Sequence, residues 1–213
     1  MKQVVLNDTN LHSTYSLVYS THNFPSPKPK TAYISVPYRS GDLDLTESII
    51  DYPVFENVQG LLVMGYMLGQ GDFDTLRDTI RNRYLGRKVE IEFTDETLKY
   101  RGRVIDIIFE DRVGYLEVEF VFNLEPYRLK KSLTIINQTI SGATTILINN
   151  LGMPSIVELT SSGAVQVVVG SNSFSFNAGQ HTIPIGLPSG QSSWQFTPTG
   201  TVEVTLAYQE GAL

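Results

Sequence analysis

Hydrophobic and polar positions alternate with a period of two over much of this chain, a pattern typical of half-buried β-strands. The clearest case is Lys88–Thr94, in which apolar residues alternate with glutamates. Two longer runs follow at 98–109 and 115–122, and a short charged, glycine-containing segment separates them. We therefore predict an antiparallel meander in this part of the chain, and a further strand at Thr31–Tyr38.

One segment has the helical period instead. Residues 73–85 carry apolar side chains at three- and four-residue spacings, which predicts a helix with one buried stripe. Asp72 precedes it as the expected N-cap, and Gly86 lies where a helix-ending glycine is common. The stripe consists of Phe73, Leu76, Ile80 and Tyr84.

The second half of the chain consists of short β-forming runs separated by turn-forming residues, mainly Ser, Asn, Gly and Pro. Runs at spacings of roughly 8–12 residues are typical of a β-sandwich. The predicted strands are 133–140, 144–149, 155–160, 164–170, 172–176, 181–185, 194–197 and 201–208.

Charge is distributed unequally between the two halves. All 16 Lys and Arg residues lie within 1–131, and only Glu158, Glu203 and Glu210 of the 22 acidic residues lie beyond it. A composition change of this size marks a domain boundary. We predict a mainly β protein with two domains: 1–131 forms a β-rich domain with one helix, and 132–213 forms a β-sandwich.

Composition excludes several classes of protein. The 213 residues include no cysteine, which excludes disulfides, thiol catalysis and cysteine-ligated zinc. The net charge of −6 argues against direct nucleic-acid binding, which depends on basic side chains that face phosphates. No apolar run is long enough for a transmembrane helix. Asn7 and Asp8 interrupt the N-terminus before a signal-peptide core forms, so we expect neither membrane insertion nor a signal peptide.

The candidate metal ligands are scattered along the chain. His12, His22 and His181 are the only histidines, and they match no metal-binding spacing. The segment 41–47, Gly-Asp-Leu-Asp-Leu-Thr-Glu, loosely resembles a calcium loop but lacks the central glycine and the later ligands, which favours a solvated turn. We therefore predict no metal site.

Candidate catalytic groups are equally sparse. No Gly-x-Ser-x-Gly motif occurs. Two glutamate pairs, 90/92 and 117/119, offer the carboxylates of a glycosidase, although an exposed sheet face explains both pairs. Gly69 and Gly71 precede the predicted helix as in a phosphate-binding loop, but Asp72 and the acidic first turn would repel phosphate there. We predict no catalytic residues and no cofactor.

Three short motifs carry a resemblance to a known family. The first combines the segment 41–47 with Pro53, Phe55 and Asn57, just before an apolar run. The second and third are Tyr100-Arg101-Gly102-Arg103-Val104 and Leu124-Glu125-Pro126-Tyr127. In these motifs, and in their order around the predicted helix, residues 31–131 resemble the siphophage distal tail protein family, a component of the phage tail hub and baseplate.

The resemblance implies a structural, non-enzymatic role. Members of the family form a ring, usually a hexamer, in which the N-terminal domain makes the ring and a galectin-like C-terminal domain projects outward. The implied partners are further copies of the chain, the tail tube protein, the tail-associated protein and, in some cases, a receptor-binding protein. The implied location is the virion tail tip of a phage or prophage, after synthesis in the bacterial host cytoplasm.

The apolar run Leu61–Leu68 suits a ring-forming domain. It is too apolar for a solvated edge strand, and an unpaired edge of this kind is a template for another chain. Met64, Tyr66 and Met67 are therefore the predicted oligomer-interface residues, because large apolar and aromatic side chains dominate interface energies. A core strand within one subunit explains the run equally well.

Trp194, the only tryptophan, leads to an alternative function. In a β-sandwich it either anchors the core or stacks on a sugar ring, and its strand-like setting favours the core. Under the second interpretation the C-terminal sandwich is a carbohydrate-binding module for host adhesion. Some members of the family carry such modules as insertions in the second domain, but residues 132–213 leave no room for one.

Overall fold

The computed structural model describes residues 1–48, 52–67 and 72–213. They divide into two compact units, Met1–Pro126 and Tyr127–Leu213.

The first unit contains most of the charged residues and both helices. Its elements are β1 (Val4–Leu6), β2 (Thr9–Asn10), α1 (Leu11–Tyr15), β3 (Leu17–Asn23), β4 (Tyr33–Ile34), β5 (Leu43–Asp44), β6 (Val58–Met67), α2 (Phe73–Tyr84), β7 (Lys88–Phe93), β8 (Leu98–Arg112) and β9 (Tyr115–Leu124). Seven of the strands form one antiparallel sheet in the order β2-β1-β7-β8-β9-β6-β3. The predicted meander is thus confirmed as β7, β8 and β9. The predicted strand Thr31–Tyr38 is limited to the two residues of β4, which pair only with β5.

The large sheet is so strongly curled that side chains of β7 contact side chains in and next to β3. β7 and β3 are separated by three strands in the sheet order, yet the ring of Phe93 lies 6.0 Å from Tyr19, 4.5 Å from His22 and 5.9 Å from Phe24. Curling of this kind follows from the right-handed twist of strands. It encloses a core to which all five long strands contribute buried side chains, although β3 contributes only Leu17 fully and Tyr19 in part.

Helix α2 begins at Phe73 as predicted and ends at Tyr84, one residue before the predicted end. The Asp72 carboxylate accepts a hydrogen bond from the Thr75 backbone N–H at 3.1 Å, and Gly86 has the positive φ of +73° that suits glycine after a helix. Ile80 and Tyr84 are buried against the sheet, while the other two residues of the predicted stripe are half-buried. Neither helix in the described part of the chain has the length and apolarity to cross a membrane.

The second unit is a sandwich of two antiparallel sheets. Its strands are β10 (Arg128–Lys130), β11 (Thr134–Ile140), β12 (Thr144–Asn150), β13 (Ser155–Ser161), β14 (Val165–Val169), β15 (Asn172–Phe176), β16 (Gly179–Leu187), β17 (Gly190–Pro198), β18 (Val202–Tyr208) and β19 (Gly211–Ala212). One sheet has the order β11-β18-β13-β16 and the other β12-β17-β14-β15. Alternate side chains of both sheets meet in one apolar core. The predicted mainly β fold is confirmed. The first unit contains a second, short helix, α1, in addition to the one predicted helix.

The units divide slightly before the predicted boundary after Lys131. Residues of β10 pair with β19, so that Leu129 lies opposite Gly211 near the end of the chain. This pairing assigns the basic segment to the second unit. That 1–131 and 132–213 are independent domains stays a prediction.

Candidate assembly surfaces

The apolar run is an interior strand of the first unit. β6 pairs along one side with β9 and along the other with β3, so that Met64 lies between Val118 and Tyr19. The interpretation of this run as an unpaired edge is therefore wrong, because both of its backbone sides are already hydrogen-bonded. Leu68 lies outside the described residues.

The three predicted interface residues differ in exposure. Met64 and Tyr66 point into the core and are only 1% and 4% exposed, whereas Met67 is 54% exposed at the strand end. Met67 lies opposite Tyr115, beside a shallow groove of about 290 Å³. That these residues form an oligomer interface stays a prediction, and only Met67 offers an accessible side chain for it.

A projecting two-stranded segment is the most exposed part of the first unit. We define the arm as residues 28–56, of which the structure describes all but 49–51. At its base the Lys30 N–H donates to the Val54 carbonyl at 2.7 Å, and the Glu56 N–H donates to the Lys28 carbonyl at 2.8 Å. Strands β4 and β5 continue the pairing outward. No described residue of the arm is buried, so the arm is held by backbone hydrogen bonds and not by a core.

The arm nevertheless carries large hydrophobic side chains. Tyr33, Ile34, Val36, Tyr38 and Tyr52 are all exposed, and Tyr38 at the tip has a positive φ of +67°. Single exposed apolar residues are ordinary, but several on one projecting segment mark an interaction surface.

The first family-like motif is the turn that holds the arm together. The Asp44 carboxylate accepts a hydrogen bond from the Thr46 backbone N–H at 2.9 Å, and the Thr46 hydroxyl accepts one from the Ala32 N–H at 3.1 Å. Hydrogen bonds from Thr46 lower the pKa of the Asp44 carboxyl. The Asp-x-Thr spacing therefore closes a hairpin turn.

The second and third motifs meet each other across β8 and β9. Gly102 lies opposite Leu124, and a Cβ atom on Gly102 would be 2.6 Å from the Asn123 carbonyl oxygen. One residue away, the Arg101 Nε donates to the Glu125 carboxylate at 2.6 Å, while the Glu125 N–H donates to the Arg101 carbonyl at 2.7 Å. Gly102 permits this close approach of the two strands, and the Arg101–Glu125 ion pair stabilises it. We call these contacts between the second and third motifs the clasp.

Comparison with known proteins gives a likeness of fold. No protein-family model matches the chain, and no curated protein matches it. Among solved structures, the SPP1 Dit protein, described as a paradigm of the hub adsorption apparatus in phages that infect Gram-positive bacteria, superposes with a TM-score of 0.67 over 100% of both chains at 15% identity.

This chain has the Dit fold.

A second likeness agrees with the first. A chain of the phage P2 baseplate in its activated conformation, solved with Ca, matches with a TM-score of 0.55 at 8% identity over 100% of this chain and 99% of that one. The strontium form of that baseplate gives a TM-score of 0.51. The resemblance to the distal tail protein family, predicted from three short motifs, is confirmed at the level of the fold.

Trp194 lies in the core of the second unit of this Dit fold. Its side chain is fully buried together with Phe196 and Ile148, so neither face of the indole is open to a sugar ring. The interpretation of Trp194 as a core anchor is confirmed, and the sugar-stacking interpretation is wrong for this residue.

The remaining candidate groups have structural partners. His12 Nδ1 lies 3.3 Å from the Leu17 carbonyl, His22 Nδ1 lies 2.8 Å from the Tyr19 hydroxyl, and His181 Nε2 lies 2.9 Å from the Asn177 carbonyl. In the described ranges, no three His, Asp or Glu side chains lie close enough to hold a metal ion. Gly69 and Gly71 lie outside the described residues.

The glutamate pairs take part in cross-strand ion pairs. Glu90 bonds to Lys99 at 2.6 Å, and Glu117 bonds to Arg112 at 3.0 Å. Each contact joins side chains on neighbouring strands, or across the hairpin turn, on the solvent side of the sheet. Glu90 and Glu117 therefore have ion-pair partners on the sheet, and all four glutamates are half-buried, whereas the sequence predicted an exposed face.

Proposed function

We propose that this chain is a structural component of a phage or prophage tail tip, where copies of it form a ring-shaped hub between the tail tube and the tail-associated and host-adhesion proteins. The observation that carries the proposal is the likeness to SPP1 Dit over the full length of both chains. A match that includes the ring-type domain and the sandwich together is more specific than a match to either β-rich unit alone.

The arm supports a ring made by the first unit. A ring requires a heterologous contact, in which one surface of a copy meets a different surface of the next. No described residue of the arm is buried, and the arm carries exposed apolar side chains without a core of its own. We propose that it reaches a neighbouring copy, and that a hexamer closes in this way.

The proposed role is non-enzymatic and needs no cofactor. One glutamate of each pair that the sequence offered for catalysis forms an ion pair: Glu90 with Lys99, and Glu117 with Arg112. No observation favours the alternative of a carbohydrate-binding module, since the residue on which it depended is buried.

Light scattering and electron microscopy of the purified full-length chain test the ring. We expect ring-shaped oligomers for the native chain, and monomers for a Tyr33→Ser/Ile34→Ser variant of the arm. The matched control is Leu147→Ser, which removes an equally exposed apolar side chain from the second unit and should leave the ring intact. A monomeric native chain, both alone and with its tail partners, would refute the proposal.

A further inference from the structure

The second unit has two edge strands that contain no charged residue. Residues 132–157 contain no charged side chain, and they include β11 and β12, each of which is an edge strand of its sheet. Within 127–213, all of which the structure describes, every exposed large hydrophobic residue except the C-terminal Leu213 lies in the same stretch. They are Leu133, Ile135, Leu147, Leu151 and Ile156.

Charges, prolines and bulges are the devices that normally keep an edge strand from pairing with another chain. The other edge of the same sheet has them: β16 contains Pro184, which has no N–H, and its pairing with β13 is interrupted by a bulge between Ile156 and Glu158. β12 is partly occupied, because the Tyr208 hydroxyl donates to the Asn149 carbonyl at 2.6 Å. β11 contains no charged residue, no proline and no bulge in its pairing with β18.

The backbone groups that β11 offers follow from the register. The Glu203 carbonyl in β18 accepts a hydrogen bond from Ser162 beyond the end of β13, so the odd-numbered residues of β18 face β13 and the even-numbered ones face β11. Val204 and Leu206 lie opposite Gln138 and Ile136. The N–H and C=O groups of the intervening residues therefore point to the open edge; these residues are Ile135, Asn137 and Thr139.

We propose that β11 is the docking edge for an extended segment of a different tail protein, which adds to the sheet as a further antiparallel strand. The inference rests on the proposed function. A second copy is a poor occupant, because pairing β11 with β11 of another copy is a two-fold contact that does not build a ring, and pairing it with β16 meets Pro184.

The surface beside β11 defines the chemistry of the incoming strand. Ile135 is exposed at one end and requires an apolar neighbour, whereas the other end borders an open groove of about 380 Å³ lined by Asn137, Thr139, Glu203 and Thr205. Glu203 is the only charged side chain of the groove. The segment therefore carries an apolar residue beside Ile135 and a Lys or Arg residue opposite Thr139. Because Glu203 lies opposite Thr139 on β18, one strand further in, only a long basic side chain that extends across Thr139 reaches its carboxylate.

Hydrogen exchange of the full-length chain in assembled tail particles tests the inference. We expect the amides of Ile135, Asn137 and Thr139 to exchange at least about 100-fold more slowly in particles than in the purified chain, because a strand amide exchanges only when its hydrogen bond opens. The amide of Ile136, already bonded to β18, should change little. If the chain is present in the particle but these three amides exchange as fast as in the purified chain, the inference is overturned and the proposed function is unaffected.

The other outcomes are equally distinct. Slow exchange of the same amides in oligomers of the purified chain would identify a second copy as the occupant and overturn the inference. A particle without the chain would refute the proposed function and the inference together.

A pair of substitutions at one position separates strand addition from side-chain contact. Asn137→Pro removes the outward N–H without touching the β18 ladder and should abolish the slowing at Ile135 and Thr139. Asn137→Ala keeps the N–H and should retain the slowing. If the proline variant does not fold, Asn137→Lys places a charge on the edge and should reduce the slowing by at least about tenfold. Full slowing in the folded proline or lysine variant would overturn the inference.

Discussion

The side-chain contacts that link neighbouring strands differ between the two units of this molecule. In the first unit, charged side chains link neighbouring strands across the solvent face, as in the pairs Glu90–Lys99 and Glu125–Arg101. In the two sandwich sheets of the second unit, uncharged side chains make links of this kind, as between Thr205 and Asn137 on β18 and β11, and the buried Asn150 donates to three backbone carbonyls. The difference teaches that a sheet can be held by surface charge or by buried amide groups, and that the two should respond differently to pH, salt and substitution.

The largest expected effect comes from placing a charge at the buried Asn150 of the second unit. The Asn150 amide nitrogen lies 2.7 Å from the Met153 carbonyl, 3.3 Å from that of Leu187 and 3.1 Å from that of Pro188. Asn150→Asp would direct a buried carboxylate at these oxygens and should lower the free energy of unfolding by about 3–5 kcal/mol. Chemical denaturation measures the loss. The exposed neighbour provides the control, and Asn149→Asp should change stability little.

The same substitution should have the opposite pH dependence to a stabilising carboxylate. Burial among carbonyl oxygens raises the pKa of the introduced Asp, and the protonated form can donate a hydrogen bond to one of them. Stability of Asn150→Asp should therefore recover as the pH falls below the raised pKa. A variant that is equally unstable at acid and neutral pH would show that the amide acts through packing alone.

A smaller effect is expected at the clasp between β8 and β9. Gly102→Ala adds a Cβ atom 2.6 Å from the Asn123 carbonyl oxygen and 2.9 Å from the Leu124 Cα, both backbone atoms that move only with the strand. Overpacking of this kind should destabilise the chain by about 1–3 kcal/mol. Gly65→Ala, in the same sheet but with its nearest neighbour at 3.9 Å, is the matched control. Equal melting temperatures for the two variants would contradict the close approach.

The charged clasp should make stability of the first unit depend on acid pH. Partial burial opposes ionisation of Glu125, but hydrogen bonds and charge from Lys88 and Arg101 outweigh it and lower the pKa of its carboxyl. Its stabilising contribution is therefore fully present above the unfolded-state pKa and is lost as the pH falls through the lowered folded-state pKa. Glu125→Gln should destabilise the chain by about 1 kcal/mol at pH 7. Urea denaturation measures the stability of the native chain and of Glu125→Gln at pH 7 and at acid pH. The difference in stability between the two chains should disappear at acid pH, below the lowered pKa of Glu125.

The smallest effect is a difference in salt dependence. Exposed ion pairs are screened by salt, and each contributes only about 0.2–1 kcal/mol. Raising NaCl from low to high concentration should accelerate hydrogen exchange of β7 and β8 amides modestly, and leave β13 and β14 amides unchanged. Both regions can be followed in the intact chain by mass spectrometry of its peptides. If NaCl changes hydrogen exchange equally in β7/β8 and in β13/β14, surface ion pairs do not account for the difference between the two units.

Much of the secondary structure could be predicted because the spacing of apolar residues within short segments indicates the type of element. The alternation of Lys88–Thr94 and the spacing of residues 73–85 predicted β7 and α2, with Asp72 at the N-cap. The strands of the second unit were predicted to within a few residues, apart from β17, which begins at Gly190, and the short strands β10 and β19, which were not predicted. Neither β17's polar start nor the two-residue β19 has a periodic signal that a local pattern could reveal.

The N-terminal strands were not predicted, for a related reason. β1 has three residues and β2 has two, too few to display a period, and β3 reads Leu-Val-Tyr-Ser-Thr-His-Asn without clean alternation because a bulge interrupts its pairing between Tyr19 and Thr21. A bulge shifts the inward face by one residue, so that His22 and Phe24 reach the core after it.

The sequence by itself therefore determined the element types, the helix caps, the change in charge between the two halves and the motifs that predicted the fold family. Only the tertiary structure decided that β6 is an interior strand, that Gly102 and Glu125 belong to one clasp, that Trp194 is buried and that β11 is an open edge. The physical reason is that periodicity specifies which face of a strand is apolar, whereas strand neighbours depend on pairings between residues far apart in the chain. For Met64 and Tyr66 the apolar face was evident, but its partner proved to be the core of their own subunit.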